Sequence, residues 1–264
     1  MDYKNIFVGI GNPLLDITAN VDKQFIQNHR LEENGSMLVT KKYMDELIDE
    51  ILNSQSDPNI KYTPGGTILN TVRIFQWTMN RIFNNDNKPN THFASFFGAV
   101  GNDEYSEILL SESQKSGLRM LCQKINDEYT GRCLTLINGT KRAFATEMNF
   151  DKEDDIRDIG LKMAKYEKVK LKFNNILVSS LNERVIVITR DALPLIVIKN
   201  DGQLIEYKVK EIPNGALVDS SCAGDAFAGG FIAAYVCGYS LEECIEWGCS
   251  AAEMIIQRRG CKLD

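Results

Sequence analysis

The sequence predicts an α/β fold, in which helices cover a mostly parallel sheet and a smaller β-layer lies beside it. An apolar strand at 6–10 is followed by two helical segments, a strand at 92–97 and another helix, an order typical of α/β proteins. The last third of the chain adds further strands and two apolar helices. A tight hairpin at 132–148 and an acid-containing strand at 11–17 do not suit a buried parallel sheet, so we assign both to the smaller layer.

The length and composition fit such a fold and exclude several classes of protein. With 264 residues, 44% of them hydrophobic and 25% charged, the chain resembles an ordinary globular protein of one or two domains. The net charge of −6 is spread over mixed acidic and basic segments, which argues against a nucleic-acid surface. The longest nearly apolar run, 226–238, is shorter than the roughly 18 residues that a membrane helix requires. No secretory signal is visible, so we expect a cytoplasmic protein, with the nucleus as the alternative.

The cysteines and histidines do not predict a zinc site or a hydrolase. Seven cysteines include no CxxC pair, and His29 and His92 are the only histidines in the sequence. Neither histidine lies beside a nucleophile motif, which argues against Ser-His-Asp and Cys-His chemistry. The free thiols indicate a reducing compartment.

Three helices are predicted in the first half of the chain. Thr40 is expected to cap the first, and Thr67 begins the second directly after the glycine pair of KYTPGG. The third occupies 103–116 and ends at Gly117. The apolar spacing that predicts the buried faces of the first two helices involves Met44, Leu47, Ile48, Ile51 and Leu52, then Val72, Phe75, Gln76 and Met79.

The second half of the chain begins with a predicted β-hairpin. Asn138 and Gly139 form the dipeptide favoured in two-residue hairpin turns, where both central residues adopt positive φ. The segment 150–182 is charged and helix-like. Strands at 185–189, 195–199 and 204–209, with a turn at 200–202, precede helices at 223–236 and 241–257.

The segment VDSSCAGDAFAGGF (218–231) predicts an anion site next to a carboxylate. Cys222, Ala223 and Gly224 are small residues where a loop becomes a helix, so their amides and the positive helix end can bind an anion. Asp225 follows directly and could accept a proton from an attacking hydroxyl while the amides hold phosphoryl oxygens.

A purely structural role for the acids of this segment is the alternative. Asp219 or Asp225 could be an ordinary first-turn acid, which stabilises a helix by about 0.3–1 kcal/mol. The positive helix end should also lower the pKa of Asp225 and weaken it as a base. A loose phosphoryl-transfer transition state still tolerates a weak base that is well placed.

The same segment resembles the C-terminal signature of the ribokinase-like sugar and nucleoside kinases. Other segments resemble, in the same order, those of the adenosine kinases within that family. The likeness extends over residues 1 to about 150 and about 184 to 264. The matching segments are GNPLLDI (11–17), TPGGTILNT (63–71), FFGAVGNDEYSEIL (96–109), TGRC (130–133) and AAEMIIQRRGC (251–261).

This resemblance implies an architecture and a reaction. The implied fold is a ribokinase-like three-layer α/β/α core with a mostly parallel sheet and a small β lid, and several core strands are expected to be missing. The implied activity is transfer of the γ-phosphoryl group of ATP, with Mg²⁺, to the 5′-hydroxyl of adenosine, giving AMP in purine salvage, by a monomer. The implied domains are a large core at 1–13, 67–126 and 151–264, and a lid at 14–66 and 127–150.

The resemblance also assigns roles to single residues. Asp225 matches the catalytic base, and Cys222, Ala223 and Gly224 match the anion hole. Asp16 and Asn70 match residues that hydrogen-bond the ribose hydroxyls, with Asn12 and Gly66 beside them; a carboxylate is well suited to accept from a cis-diol. Arg142 matches an arginine near the phosphates, although a solvated hairpin arginine is the alternative. The implied apolar wall around the purine, whose members could also be ordinary core residues, consists of Leu14, Leu38, Cys133, Phe144 and Met148.

The chain departs from the family pattern in three places. Only residues 151–184 occupy the interval in which family members have several core strands and a metal-associated Asn-x-x-Glu segment, and the pair Asn182 and Glu183 lacks that spacing. The metal ligands are therefore unknown. Cys222 stands where the family has glycine, so the amide donor is retained only if the backbone does not require positive φ. The triplet 189–191 (Thr-Arg-Asp) replaces a Thr-x-Gly element of the nucleotide loop.

Two classes of function follow from these departures. The chain is either a working adenosine kinase or a shortened, non-catalytic nucleoside-binding relative. A kinase for another ribose-containing substrate is disfavoured by the apolar wall.

Overall fold

The computed structural model describes residues 6–33, 35–54, 58–83, 91–139, 141–148, 186–190, 192–198, 204–213 and 216–263. The predicted helix-like segment at 150–182 and the turn at 200–202 lie outside these residues. The elements of the first half are β1 (Phe7–Ile10), β2 (Leu14–Asn20), α1 (Lys23–Asn28), β3 (Ser36–Leu38), α2 (Lys41–Ser54), β4 (Lys61–Gly65), α3 (Thr67–Ile82), β5 (Ala94–Gly101) and α4 (Glu104–Lys115). Those of the second half are β6 (Arg119–Ile125), β7 (Arg132–Asn138), β8 (Lys141–Glu147), β9 (Ile186–Arg190), β10 (Leu193–Ile198), β11 (Leu204–Tyr207), α5 (Ala223–Val236) and α6 (Leu241–Ile256).

A parallel sheet of order β1-β5-β6 confirms the predicted α/β core. All eight residues of β5 are buried, as expected of a strand that is covered on both faces. Helix α3 packs against β1 and β5. Strands β9, β10 and β11 form a separate antiparallel sheet in the order β11-β10-β9.

The smaller β-layer is a five-stranded mixed sheet of order β3-β8-β7-β2-β4. Strand β2 alternates strictly: Leu15, Ile17 and Ala19 are buried, whereas Leu14, Asp16 and Thr18 are partly exposed. The buried residues join one hydrophobic cluster with Met44, Leu47, Ile48 and Ile51 of α2. One face of the sheet therefore belongs to the core, and the opposite face is available for a ligand.

Two details of this layer differ from the sequence prediction. The hairpin is present, but Asn138 pairs with Lys141 and so belongs to the strand, and only Gly139 (φ +61) of the predicted pair has positive φ. Asn138 instead donates its side-chain amide to the carbonyl of Val21 at 3.2 Å. Leu52 was expected on the buried face of α2 but is 57% exposed, because it lies at the edge of the apolar stripe near the end of the helix.

The helix boundaries follow the predicted capping residues. Thr40 accepts a hydrogen bond from the amide of Tyr43 at 3.3 Å, which confirms it as the cap of α2. Ser240 and Glu243 form a capping box at the start of α6. No helix among the described residues is both long and apolar enough to cross a membrane.

The packing of α3 against α5 determines the position of the candidate site. A Cβ at Gly229 of α5 would lie 2.7 Å from the carbonyl oxygen of Thr71, so glycine permits the close approach of the two helices. The first turns of both helices consequently meet beside the five-stranded sheet. All strands of that sheet come from 14–66 and 127–150, whereas the division of the chain into a core and a lid stays a prediction.

Candidate active site

The partly exposed face of the five-stranded sheet brings the predicted ligand residues into one row. The strand registers pair Asp16 with Cys133, Cys133 with Thr146, and Thr146 with Leu38, so these side chains point to the same side. The hydroxyl of Thr146 lies 3.4 Å from Sγ of Cys133. We call this surface the site face.

The predicted purine wall occupies the same region. Leu14 is two residues from Asp16 on β2, and Phe144 is two residues from Thr146 on β8, so both belong to the site face. Leu38 is 75% exposed, and Met148, directly after β8, is 50% exposed. Leu38 and Met148 are therefore not core residues, whereas Leu14, Cys133 and Phe144 are partly buried. Their role as a purine wall stays a prediction.

The glycine pair Gly65 and Gly66 shapes the end of β4 around Asp16 and Asn12. A Cβ at Gly65 would lie 2.1 Å from Oδ1 of Asp16, so the carboxylate lies directly over this glycine. Gly66 adopts φ +93, and a Cβ there would approach the carbonyl oxygen of Asn12 to 2.8 Å. Oδ1 of Asn12 is buried and has no hydrogen-bond partner among the described residues. The predicted ribose contacts are thus close together and partly unsatisfied.

The electrostatic environment of Asp16 is unusual for an aspartate. Burial raises its pKa from 3.8 to about 7, the guanidinium of Arg73 opposes that rise, and Asp225 and Asp219 add to it. Near neutral pH the carboxyl group therefore changes between its protonated and ionised forms.

Asn70 and Asp225 meet where α3 and α5 begin. Nδ2 of Asn70 donates to Oδ2 of Asp225 at 3.3 Å and lies 3.6 Å from Sγ of Cys222. Burial raises the pKa of Asp225, and the hydrogen bond from Asn70 only partly opposes this. The net direction is therefore opposite to the lowering expected from the positive helix end, because desolvation by burial is the largest effect on this carboxyl group.

The predicted anion hole is only partly free. The amide of Ala223 donates to the carbonyl of Ser220 at 3.1 Å, whereas no hydrogen bond within the described residues uses the amide of Cys222 or Gly224. A Cβ at Gly224 would meet nothing within 4 Å, so the space in front of this loop is open. Cys222 has φ −111, which any residue adopts, and its side chain does not disturb the backbone geometry.

Asp219 connects the loop before α5 to the hairpin and to the C-terminal loop. Its Oδ1 accepts from the amide and hydroxyl of Ser221 at 3.0 and 2.7 Å, and its Oδ2 accepts from the amide of Gly260 at 2.9 Å. Nη1 of Arg142 donates to Oδ1 at 2.7 Å, and Nη2 donates to the carbonyl of Val218. Burial opposes ionisation of Asp219, but these donors lower its pKa. Arg142 is thus neither a solvated hairpin arginine nor free, because it joins the five-stranded sheet to the loop before α5.

The structure describes only some of the residues that the sequence analysis relates to the nucleotide. Arg190 is the last residue of β9, and its Nε donates to the carbonyl of Pro194 at 2.7 Å. Asp191, Asn182 and Glu183 lie outside the described residues.

Three residues of the site were missed or misjudged from the sequence. Gly65 was noted only as part of a pair, although its missing side chain makes room for Asp16. Arg73 is buried in α3 beside Asn70; a basic residue between Val72 and Ile74 was the available signal. Asp219 was considered only as a helix acid, although the donors around it hold three segments together.

Comparison with known proteins assigns the chain to one family of kinases. The chain belongs to the pfkB family of carbohydrate kinases, whose model matches residues 43–166 and 148–264. Its relatives include adenosine kinase 1 of Arabidopsis thaliana, which is 24% identical over 98% of this chain and 96% of that protein. Adenosine kinase of Saccharomyces cerevisiae is 26% identical over 96% of this chain and 95% of that protein.

Solved structures of adenosine kinases share the fold. The enzyme of Anopheles gambiae in complex with P1,P4-di(adenosine-5) tetraphosphate has a TM-score of 0.72 at 23% identity and covers 98% of both chains. The enzyme of Schistosoma mansoni in complex with 2-fluoroadenosine has a TM-score of 0.72 at 21% identity, over 98% of this chain and 97% of that one. The predicted resemblance and the ribokinase-like fold are confirmed.

The chain is shorter than these relatives. The alignment with the Arabidopsis protein runs over 354 positions, whereas this chain has 264 residues, so many positions of the relative have no counterpart here. The two family matches meet within 148–166, which is where the sequence predicts the missing middle.

Proposed function

We propose that this protein is an adenosine kinase, which transfers the γ-phosphoryl group of ATP to the 5′-hydroxyl of adenosine. The observation that supports it best is the hydrogen bond of 3.3 Å between Asn70 and Asp225 beside the open amide of Gly224. This arrangement combines a proton acceptor, a ribose-binding amide and an anion-binding helix end within one site.

Adenosine would bind with its ribose over the glycine pair. The ionised Asp16 would accept from the two ribose hydroxyls, and Asn70 would orient the sugar from the other side. The purine would lie against Leu14, Leu38, Cys133, Phe144 and Met148. This places the 5′-hydroxyl toward the start of α5.

The transfer then needs one proton acceptor and one anion site. O5′ attacks the γ-phosphorus while its proton passes to Asp225; the bond to the β,γ-bridging oxygen breaks, and ADP leaves. The amides of Cys222 and Gly224 would stabilise the charge on the transferring group, and Ala223 would contribute if its bond to Ser220 opened. Arg142 would reach the phosphates only if its ion pair with Asp219 broke.

Mg²⁺ belongs to the co-substrate in this proposal. We propose, as the family resemblance implies, that Mg²⁺ enters the site together with ATP. Among the described residues there is no cluster of three or more acidic, histidine or cysteine side chains suited to a metal ion. When bound with ATP, Mg²⁺ would neutralise phosphate charge. We further propose that the protein acts as a monomer in purine salvage, in the cytoplasm or the nucleus.

A non-catalytic nucleoside-binding protein is the second candidate. The shortened middle of the chain and the engagement of Arg142 with Asp219 favour it. Isothermal titration with adenosine, beside chromatographic measurement of AMP formed from adenosine and Mg-ATP, separates the two. AMP formation that is lost in Asp225→Asn supports the kinase; adenosine binding without AMP supports the binding protein; absence of both contradicts both.

A further inference from the structure

Arg73 is a buried cation without an assigned role. It is 5% exposed and lies in α3, three residues after Asn70. Its Nη1 donates to the carbonyl of Pro64 at 3.0 Å and lies 3.4 Å from Oδ1 of Asn70. No described carboxylate lies within ion-pair distance of it, and its Nε has no hydrogen-bond partner among the described residues. Burying a guanidinium costs free energy unless hydrogen bonds or charges around it compensate for the lost hydration.

We propose that Arg73 is the positioning residue of the nucleoside site, because it holds Asn70 and the glycine turn in the geometry that the proposed transfer requires. The inference rests on the proposed function and extends it to a residue that touches neither substrate.

The orientation of the Asn70 amide depends on donors and acceptors around it. A guanidinium only donates, so Arg73 can form a hydrogen bond only with the oxygen end of the Asn70 amide. An ionised carboxylate only accepts, so Asp225 requires the nitrogen end. The two partners lie at opposite ends of one side chain and together define one orientation. Without Arg73 the amide could rotate and present its oxygen to Asp225, which would be repulsive.

The contact with Pro64 extends this control to Asp16. Pro64 precedes the glycine over which the Asp16 carboxylate lies, so the guanidinium joins the end of β4 to α3 directly beneath the ribose position. The positive charge also favours the ionised form of Asp16, which the ribose hydroxyls need. The other titratable groups around Asp16 are Asp225, Asp219, Cys133, Cys222 and Cys261.

The test compares Arg73→Met and Arg73→Lys with a matched control, Arg81→Met. Arg81 lies on the same helix but is exposed over the ring of Trp77, at 4.6 Å, and contacts no site residue. We expect Arg73→Met to weaken adenosine binding by about 10- to 100-fold, as loss of a charged hydrogen bond does. In Arg73→Met, the midpoint of the pH dependence of adenosine binding should move to higher pH, because the positive charge that favours the ionised form of Asp16 is lost. Arg73→Lys should keep the midpoint near that of the parent, because the charge remains, but should lower turnover. Arg81→Met should change neither quantity.

A second measurement makes the outcome independent of adenosine. In labelled protein, the carboxyl carbon signal of Asp16, assigned by its loss in Asp16→Asn, should titrate at higher pH in Arg73→Met than in the parent. The side-chain amide signals of Asn70 should shift in Arg73→Met and Arg73→Lys. If both sets of signals match those of Arg81→Met, the inference is wrong, whether or not the chain binds adenosine. If they change but the parent does not bind adenosine, the proposed function fails while the positioning role stands. If Arg73→Met does not fold, the Asn70 signals and turnover of Arg73→Lys decide.

Discussion

The carboxylate of Asp16 occupies the space that a side chain at Gly65 would fill. A Cβ at position 65 would lie 2.1 Å from Oδ1, 2.2 Å from Cγ and 2.3 Å from Oδ2 of Asp16. Gly65 does not have positive φ, unlike Gly66, so the requirement for glycine is steric and comes from the neighbouring strand. The two glycines of one dipeptide thus serve different purposes.

This relationship predicts that Gly65→Ala acts through Asp16. We expect Asp16→Ala to weaken adenosine binding by about 2 kcal/mol, because two ribose hydroxyls lose a charged acceptor. Gly65→Ala should cost a similar amount, and the double variant little more than either single one. Titration calorimetry of the four proteins checks this. Additive losses of binding free energy would show that Gly65 and Asp16 act separately. As a second check, Asp16→Ala should weaken the binding of 2′-deoxyadenosine less than that of adenosine.

The raised pKa of Asp16 predicts opposite effects of pH on binding and on stability. Adenosine affinity should increase as pH rises through about 7, because the ribose hydroxyls need the ionised carboxylate. The free energy of unfolding should receive a penalty from Asp16 that begins above pH 3.8, its unfolded pKa, and is complete above about pH 7. Asp16→Asn should therefore stabilise the protein above neutrality, leave it unchanged in acid, and flatten the binding profile. Calorimetry and denaturant unfolding between pH 4 and 8.5 measure both; a binding profile that Asp16→Asn leaves unaltered would assign the titration to another group.

The contact between Asn70 and Asp225 predicts a specific loss in Asp225→Asn. The amide is close in shape to the carboxylate and can still accept from Asn70 through its oxygen, so adenosine affinity should change little. Turnover should fall by about 10²- to 10⁴-fold, as expected when a general base is removed. Steady-state AMP formation beside adenosine titration measures the two effects. Unchanged turnover would leave Asp225 as a first-turn acid of α5.

Asp219 and Arg142 should differ in their importance for stability. Asp219→Ala leaves the amides of Ser221 and Gly260, whose hydrogen bonds to Asp219 are partly buried, without their acceptor and should cost about 3 kcal/mol. Arg142→Ala removes one partner of the same carboxylate and should cost about 1 kcal/mol. Because its pKa is lowered, the contribution of Asp219 should be complete above its unfolded pKa of 3.8 and decrease as pH falls below it. Urea unfolding of the parent and both variants at pH 7 and 3.5 measures these losses of stability. The loss in Asp219→Ala should exceed that in Arg142→Ala at pH 7, and the difference should become smaller at pH 3.5. Equal losses at pH 7 would contradict the prediction.

Sequence patterns could predict those features of the site that depend on local order. The loop that becomes a helix at Ala223 and the isolated acid at position 16 both follow from neighbours in the chain. The steric role of Gly65 could not be predicted, because it depends on the register of two strands far apart in sequence. Arg73 was missed for a similar reason, since only the packing of α3 shows that its guanidinium faces Asn70 and Pro64. The hairpin prediction was correct in type but one residue off, because Asn138 is paired with Lys141.

The shortened middle of the chain should affect ATP more than adenosine. The predicted adenosine contacts lie between Asn12 and Met148, and all of them belong to the part of the chain that the structure describes. In the family pattern, the part of the protein that binds ATP includes several core strands and a metal-associated segment. This chain has only residues 151–184 in the corresponding interval. Ligands of open α/β sheets bind at the carboxyl ends of the strands, so loss of central strands disturbs the core and the nucleotide site together.

We therefore predict adenosine affinity close to that of an intact relative, weaker binding of Mg-ATP, slow or absent turnover and a low melting temperature. The comparison uses this chain, a version with the middle segment of Arabidopsis adenosine kinase 1 restored, and that enzyme itself. Restoration should raise the melting temperature, ATP affinity and AMP formation, and should leave adenosine affinity unchanged. Equal stability and equal turnover in this chain and the restored version would mean that residues 151–184 rebuild the nucleotide side by themselves, and that the family's full activity transfers to the shorter chain.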